Sequence, residues 1–296
     1  MNPFPPPAKL PITHNYPMFL IPGILRPNTF RDLKSSGIDH LVLSAELLGE
    51  LQGNWASARP LMSMAENAGV TFTDAHAPFG EYHDINLPFE QFRESMIRQK
   101  ILSLHICRDF GVNTCTVHTG KCQARTVPVE KYRNFVKDSL EQLLPEAEKC
   151  GVVIALENIG THCDSPEYLI ELLEYFNTPF LGLCYDSGHA NLMAKGKQFP
   201  ACSLWEAWAP EIPPWDACLL EKMLPHIVNC HLHDNDGLRD QHYPPFCGNT
   251  DWKKITALLE KAPRLLCIQN EASFVNRPTS MEEMVRIYRE LFPCCG

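Results

Sequence analysis

Six residues that could bind a metal ion recur along the chain, each at the end of a short apolar segment. They are His76, His118, Glu157, Asp186, His233 and Glu271. Such side chains are costly to bury behind apolar residues unless they are paired or coordinated. A mixed set of imidazoles and carboxylates suits Zn²⁺, Mn²⁺ or Co²⁺ better than Ca²⁺. The pattern therefore predicts one shared site for a divalent metal ion.

More polar residues follow two of these positions. His189 comes three residues after Asp186, and the loop beyond His233 contains Arg239, Asp240 and His242. We expect these four residues, with His76 and His118, to bind substrate or additional metal ions. By strand alternation we place His231 on the face opposite His233 and assign it a structural role.

The apolar segments predict the strands that must position these side chains. They cover residues 18–21, 38–44, 70–76, 114–118, 152–157, 181–186, 227–233 and 265–271. Segments with helical spacing lie between them, at 54–68, 90–110, 128–150 and 166–176. Strands that alternate with helices in this way are typical of an α/β fold, a single (β/α)8 TIM barrel. Such a barrel would bring all six strand ends to one mouth.

The 296 residues fit one barrel domain at 17–296, preceded by a proline-rich N-terminal extension at 1–16. We interpret residues 195–214 as an insertion over the mouth. Hydrophobic residues make up 45% and charged residues 21%, which excludes intrinsic disorder. No apolar run approaches the roughly 20 residues of a membrane-spanning helix, so no membrane partner is expected.

Charge and cysteine content bear on partners and location. With 26 Lys+Arg and 35 Asp+Glu, the formal net charge is −9, which argues against nucleic acid as a partner. The mouth loops offer few basic residues: Lys121, Arg125, Lys195 and Lys197. The thirteen cysteines are odd in number and scattered, so we interpret them as reduced thiols of a cytoplasmic protein.

Three motifs carry a resemblance to a known superfamily. Ala155-Leu-Glu-Asn, Tyr185-Asp-Ser-Gly-His and His231-Leu-His-Asp resemble those of the xylose isomerase-like TIM barrels, and the likeness runs from 38 to 274. That superfamily includes sugar phosphate isomerases and epimerases, ketose 3-epimerases and abasic-site nucleases of the endonuclease IV type. This sequence departs from the ketose-epimerase and the endonuclease patterns at Phe246-Cys247-Gly248-Asn249. Barrels of this kind often pair, so the resemblance implies a homodimer.

The ketose-epimerase pattern implies one divalent ion (Mn, Co, Zn or Mg) held by Glu157, Asp186, His233 and Glu271. It also implies that His189 and Arg239 bind substrate oxygens. The expected reaction is isomerisation or epimerisation of a sugar or sugar phosphate. Glu157 and Glu271 would remove and return a proton next to a carbonyl, through a metal-stabilised enediolate.

Three alternatives stay open. The first is a related lyase or dehydratase acting on a cyclic polyol or keto acid. The second is an endonuclease IV-like phosphodiesterase acting on abasic DNA with up to three zinc ions. Its ligand types all have counterparts here: His76, His118, Glu157, Asp186, His189, His233, Asp240, His242 and Glu271. The third is a sugar-binding barrel without catalysis.

Overall fold

Short apolar segments rich in β-branched residues form eight parallel strands that close into a barrel in chain order, with β1 also pairing with β8. The computed structural model describes residues 3–5, 7–120, 127–195 and 216–293, with only the backbone of Lys195. The strands are β1 (Ile12–His14), β2 (His40–Leu43), β3 (Thr71–His76), β4 (Thr114–Val117), β5 (Val153–Glu157), β6 (Leu181–Asp186), β7 (Ile227–Leu232) and β8 (Cys267–Asn270). The predicted (β/α)8 architecture is confirmed.

Helices cover the outside of the barrel. The described ones are α1 (Pro17–Leu20), α2 (Thr29–Ser35), α3 (Ala45–Gly53), α4 (Ala58–Ala68), α5 (Glu90–Asp109), α6 (Val129–Cys150), α7 (Pro166–Phe176), α8 (Ser187–Lys195), α9 (Leu219–Met223), α10 (Trp252–Leu259) and α11 (Met281–Leu291). Short 3₁₀ turns lie at Trp55–Ser57 and Leu224–His226. Leucines of the helices pack on the outer faces of the strands as one continuous core.

Capping residues set one end of α4, α6 and α7 at the predicted positions. Gly69 and Gly151 close α4 and α6 in the left-handed conformation, with φ of 68° and 65°, which glycine adopts without the steric cost of a Cβ. Ser165 caps α7 by accepting a hydrogen bond from the Tyr168 amide. The helices α4 and α6 therefore stop shortly before β3 and β5 begin.

The seven strands predicted from residue 38 onward are all present, but the first one is wrong. Residues 18–21 fall largely in α1, which begins with Pro17 at its first position, where the fixed φ of proline suits a helix. The first strand is instead Ile12–His14, inside the segment predicted to be an extension. It closes the ring between β2 and β8, so the barrel begins before residue 17.

The stretch predicted as one helix at 54–68 is also different. Ser44 caps an additional helix, α3, by accepting from the Leu47 amide, and α4 begins only at Ala58. The predicted insertion at 195–214 lies outside the described side chains, as do Lys121, Arg125, Lys195 and Lys197. Among the described helices, none combines the length and apolar character needed to cross a bilayer.

Candidate metal centre

The carboxyl ends of β3 to β8 bring ionisable side chains together at one mouth of the barrel. Glu157 ends β5 with its side chain 2% exposed, and Asp186 ends β6 fully buried. His76 ends β3, and His118 follows β4 directly. His233 and Glu271 follow β7 and β8. Every residue of the predicted strand-end set therefore lies at this mouth.

Glu157 is the centre of the cluster. Its Oε2 lies 3.3 Å from His76 Nε2 and 3.0 Å from His118 Nε2. Its Oε1 lies 3.3 Å from His231 Nδ1 and 3.5 Å from His189 Nδ1. Burial alone would raise the pKa of this carboxyl, but the charges of His231 and His118 and their hydrogen bonds hold it well below its usual range. Glu157 is therefore an ionised carboxylate.

His231 lies inside the barrel, which corrects its predicted orientation. Residues two apart on a strand share a face, so His231 points inward with Asn229 and His233 rather than opposite to them. His231 Nδ1 is 3.3 Å from Glu157 Oε1 and 3.3 Å from Glu271 Oε2. The prediction that His231 lies on the face opposite His233 is therefore wrong, because the two residues are two positions apart.

One group of four residues is compact enough to hold a single ion. Glu157, Asp186, His231 and Glu271 each offer a ligand atom, and these atoms all lie within 4.8 Å of one another. The set predicted from sequence had His233 in place of His231. In the structure His233 belongs with His242 and Glu271 in another group of the same kind. His76, His118 and Glu157 form a third.

The Asp-Ser-Gly-His motif after β6 builds one side of the site. The His189 amide donates to Asp186 Oδ1 at 2.6 Å. Ser187 Oγ donates to the His233 carbonyl at 2.7 Å and accepts from the His233 amide at 3.0 Å. A Cβ at position 188 would overlap the His233 ring. The motif therefore supplies two ionisable groups and the space in which a third sits.

We expect Gly188→Ala to displace the His233 imidazole and to destabilise the protein by about 1–3 kcal/mol, the usual cost of overpacking. Chemical denaturation measures this change. Gly49→Ala is the matched control, since Gly49 lies in α3 with nothing within 4 Å of a Cβ, and there alanine should stabilise by about 0.5–1 kcal/mol. Equal stability of Gly188→Ala and the wild type would contradict the close approach of His233.

A second layer of polar groups lies above this motif. Asp240 Oδ2 is 3.0 Å from His242 Nε2 and 3.5 Å from His189 Nε2. The His233 and His242 rings stack with centroids 3.9 Å apart and planes 9° from parallel. Burial lowers the pKa of His242, but the hydrogen bond and charge of Asp240 raise it overall to about 9. These contacts bring predicted residues of the β7 loop into the cluster.

A buried carboxylate shapes the loop that carries Asp240 and His242. Asp234 accepts hydrogen bonds from the Gly248 amide at 2.9 Å, the Thr250 amide at 3.1 Å and Trp252 Nε1 at 3.0 Å. A Cβ at Gly248 would overlap the Asn235 carbonyl oxygen. Residues 246–249, where the sequence departs from the known patterns, therefore fold back against Asp234.

Arg239 takes a different position from the rest of the predicted set. It is exposed, and its backbone amide donates to Asp236 Oδ1 at 3.3 Å. Sequence reasoning also passed over Phe79, which is 50% exposed and packs its ring 4.5 Å from that of His118 and 5.0 Å from that of His76. Its place three residues after His76 was the available signal.

The donor set fits a metal ion. The cluster is made of buried carboxylates and imidazoles. An ionised carboxylate is an acceptor and never a donor, and an imidazole can coordinate a metal through either nitrogen. Among the described residues, the buried atoms His233 Nδ1 and Asp240 Oδ1 have no hydrogen-bond partner. Buried polar atoms of this kind are normally satisfied, so these two, which lie beside the four-residue group and not in it, fit a polar ligand or a further cation at the same mouth.

A comparison with known families identifies the fold. The family described as xylose isomerase-like TIM barrel matches residues 30–291. The chain belongs to this family. Two curated relatives are similar in sequence. Uncharacterized protein y4fM of Sinorhizobium fredii is 28% identical over 47% of this chain but only 44% of its own length. Uncharacterized protein MJ1311 of Methanocaldococcus jannaschii is 22% identical over 73% of this chain and 69% of its own.

Solved structures share the fold of this family member. A D-tagatose 3-epimerase-like protein superposes with a TM-score of 0.73 at 18% identity, covering 96% of this chain and 97% of its own. The 3-keto-D-glucoside 4-epimerase YcjR of E. coli has a TM-score of 0.68 at 18% identity over 96% and 98%. The IOLI protein with a bound zinc atom has a TM-score of 0.70 at 17% identity over 95% and 96%.

Proposed function

We propose that the protein is a divalent-metal-dependent isomerase or epimerase of a sugar or sugar phosphate. The observation that carries the proposal is the pair of carboxylates from β5 and β8, Glu157 and Glu271, each with an oxygen 3.3 Å from His231 Nδ1. Two carboxylates that reach one site from different strands could act on opposite sides of a small substrate. The sugar epimerases among the similar structures support this choice of substrate class.

Glu157, Asp186, His231 and Glu271 would hold the ion. This set differs from the one predicted from sequence at a single position. His231 takes the place of His233, because it lies between the two glutamates. A bound divalent ion would supply positive charge for the negative charge that develops on substrate oxygens. Zinc, cobalt and manganese suit the mixed donors, magnesium less so, and the zinc atom in the IOLI structure supports zinc as the first ion to test.

The two glutamates differ in their access to substrate. The Glu271 side chain is 16% exposed, whereas that of Glu157 is 2% exposed. Burial acts to raise the pKa of Glu271, but the charge and hydrogen bond of His231 lower it well below its usual value. Both carboxylates are therefore ionised and able to accept a proton next to the substrate carbonyl, and either one can return it.

The test is a turnover screen across ketoses, their phosphates and inososes in deuterium oxide, with metal content measured on the same sample. We expect one substrate class to incorporate solvent deuterium at the carbon next to the carbonyl as product forms. Turnover without incorporation would exclude proton abstraction followed by exchange. No turnover of any member, with metal bound, would overturn the choice of substrate class.

Arg239 is the residue we propose for binding substrate oxygens from the exposed loop. We expect Arg239→Ala to raise KM by about tenfold or more, the loss of one charge-assisted hydrogen bond at about 1.5–3 kcal/mol, and to leave metal content unchanged. Steady-state kinetics with elemental analysis measures both. Loss of metal in the variant would contradict a substrate role and assign Arg239 to the metal centre.

A multi-zinc phosphodiesterase acting on abasic DNA is the second candidate. Two further groups of potential ligands favour it: His76, His118 and Glu157 on one side, and His233, His242 and Glu271 on the other. Elemental analysis separates the candidates, since one ion per chain supports the epimerase and about three support the phosphodiesterase. Cleavage of a duplex with an abasic site at physiological salt would reverse our ranking.

A further inference from the structure

Beneath the metal centre, a chain of buried polar side chains runs through the barrel interior to His231. His231 Nε2 lies 3.3 Å from Thr116 Oγ1, on the side of the ring away from the glutamates. Asn229 Nδ2 donates to the same hydroxyl at 3.3 Å and to Asp74 Oδ1 at 2.9 Å. All four residues are 0% exposed. They come from three different strands, β3, β4 and β7.

Asp74 lies at the far end of this series of hydrogen-bonded side chains. Its Oδ1 also accepts from Thr114 Oγ1 at 3.0 Å and from the Ala75 amide at 2.7 Å. Asp74 Oδ1 is the acceptor for both of these donors, so the Asn229 amide turns its nitrogen, and not its oxygen, toward Asp74. The Asn229 oxygen in turn accepts from Cys267 Sγ at 3.3 Å. Asn229 therefore has one orientation, and its second N–H points to Thr116.

Thr116 Oγ1 also faces Nε2 of the His231 imidazole. A histidine that binds a metal through one ring nitrogen usually donates its other N–H to an acceptor, which fixes the ring and its tautomer. For ligation through Nδ1, the proton of His231 must sit on Nε2, and Thr116 Oγ1 is the acceptor within reach. In that tautomer the two lone pairs of the hydroxyl would accept from Asn229 and from His231.

We propose that Thr116, held by Asn229 and Asp74, is a positioning residue that directs His231 Nδ1 toward Glu157 and Glu271 and thereby sets the affinity of the metal centre. The inference rests on the proposed metal centre but not on the identity of the substrate. None of these three residues needs to contact the substrate, so their effect should appear in metal binding itself.

The experiment compares Thr116→Val with Thr116→Ser. Valine keeps the shape of threonine without its hydroxyl, and serine keeps the hydroxyl. Zinc affinity is measured on chelator-treated protein by competition with a chromophoric chelator. We expect Thr116→Val to bind zinc about 10–100-fold more weakly, as other outer partners of metal-binding histidines do, and Thr116→Ser to match the wild type. The His231 Nε2–H signal in NMR spectra of the zinc form should persist in wild type and Thr116→Ser only.

Thr13→Val is the control for removing a buried threonine hydroxyl, since Thr13 Oγ1 donates to the Ile268 carbonyl at 3.3 Å within the barrel wall. Equal zinc affinity of Thr116→Val and Thr13→Val would overturn the inference. Weak zinc binding by the wild type would instead overturn the proposed metal centre. The two failures are therefore distinguishable.

Asp74 is tested through its dependence on Thr116. We expect Asp74→Ala to weaken zinc binding, and the double variant with Thr116→Val to be no weaker than Thr116→Val alone, because both changes break the same chain. Asp74→Asn keeps an acceptor oxygen and should retain most of the affinity, which covers the case in which Asp74→Ala does not fold. Additive losses in the double variant would show that Asp74 acts independently of Thr116.

Discussion

Replacing Glu157 by Gln is expected to lower turnover and the exchange of the substrate proton with solvent deuterium by at least 10²–10⁴-fold, the usual contribution of a general acid or base. The loss should be larger still, because Glu157 contacts four histidines of the cluster and is a proposed metal ligand. Glutamine preserves the shape of the side chain but not its charge. Deuterium incorporation followed by NMR measures the effect.

Glu171→Gln is the matched control, because Glu171 is exposed and its Oε1 lies 2.8 Å from Lys137 Nζ in a surface ion pair. Exposed pairs of this kind contribute little, so this variant should retain full activity. Glu271→Gln should resemble Glu157→Gln. Undiminished exchange in either site variant, with its circular dichroism spectrum unchanged, would remove the assigned proton-transfer role from that glutamate.

Removing the metal ion is expected to lower the melting temperature by several degrees. An ion that binds only the folded chain stabilises it by about 2.7 kcal/mol at 100 times its Kd and about 4.1 kcal/mol at 1,000 times. The effect has a clear origin in this site. Ligand atoms of the carboxylates Glu157, Asp186 and Glu271 lie within 4.8 Å of one another, and a bound cation would offset their mutual repulsion. Calorimetry before and after chelation, with metal content measured on both samples, tests this.

The Glu157→Gln variant provides an internal control for chelation. With one ligand and one negative charge removed, its melting temperature should respond little to chelator or to added zinc. In the chelator-treated wild type, added zinc should restore the original melting temperature. A protein that carries metal when purified and melts at the same temperature after losing it would contradict a cation bound among these residues.

The strand ends were predictable because a parallel barrel imposes one simple rule on the sequence. Strands buried on both faces appear as short apolar runs, and their carboxyl ends meet at one mouth. Glu157 and Asp186 could be placed from this rule alone. The inward position of His231 follows from the same period, since it is two residues from His233. No long-range information was needed for these positions.

Other features depend on contacts between distant parts of the chain. The place of Asp240 and His242 is set by a loop folded around Asp234, and the hydrogen bonds from Gly248 and Trp252 that shape it are not visible as a periodic pattern. The first strand has only three residues and follows a proline, so the apolar run at 18–21 gives the stronger strand pattern in the sequence. Its pairing with β8 identifies it, and that pairing exists only in three dimensions.

That last pairing has a consequence for how the molecule is made. Thr13 and Gln269 are neighbours in the sheet although almost the whole polypeptide separates them. During synthesis β1 leaves the ribosome long before β8. Until β8 follows, the edge of β1 that pairs with β8 has no partner strand. Contacts between such remote segments are slow to form, and an unpaired strand edge is prone to associate with other chains. We therefore expect the nascent protein to be most prone to aggregation just before β1 and β8 pair.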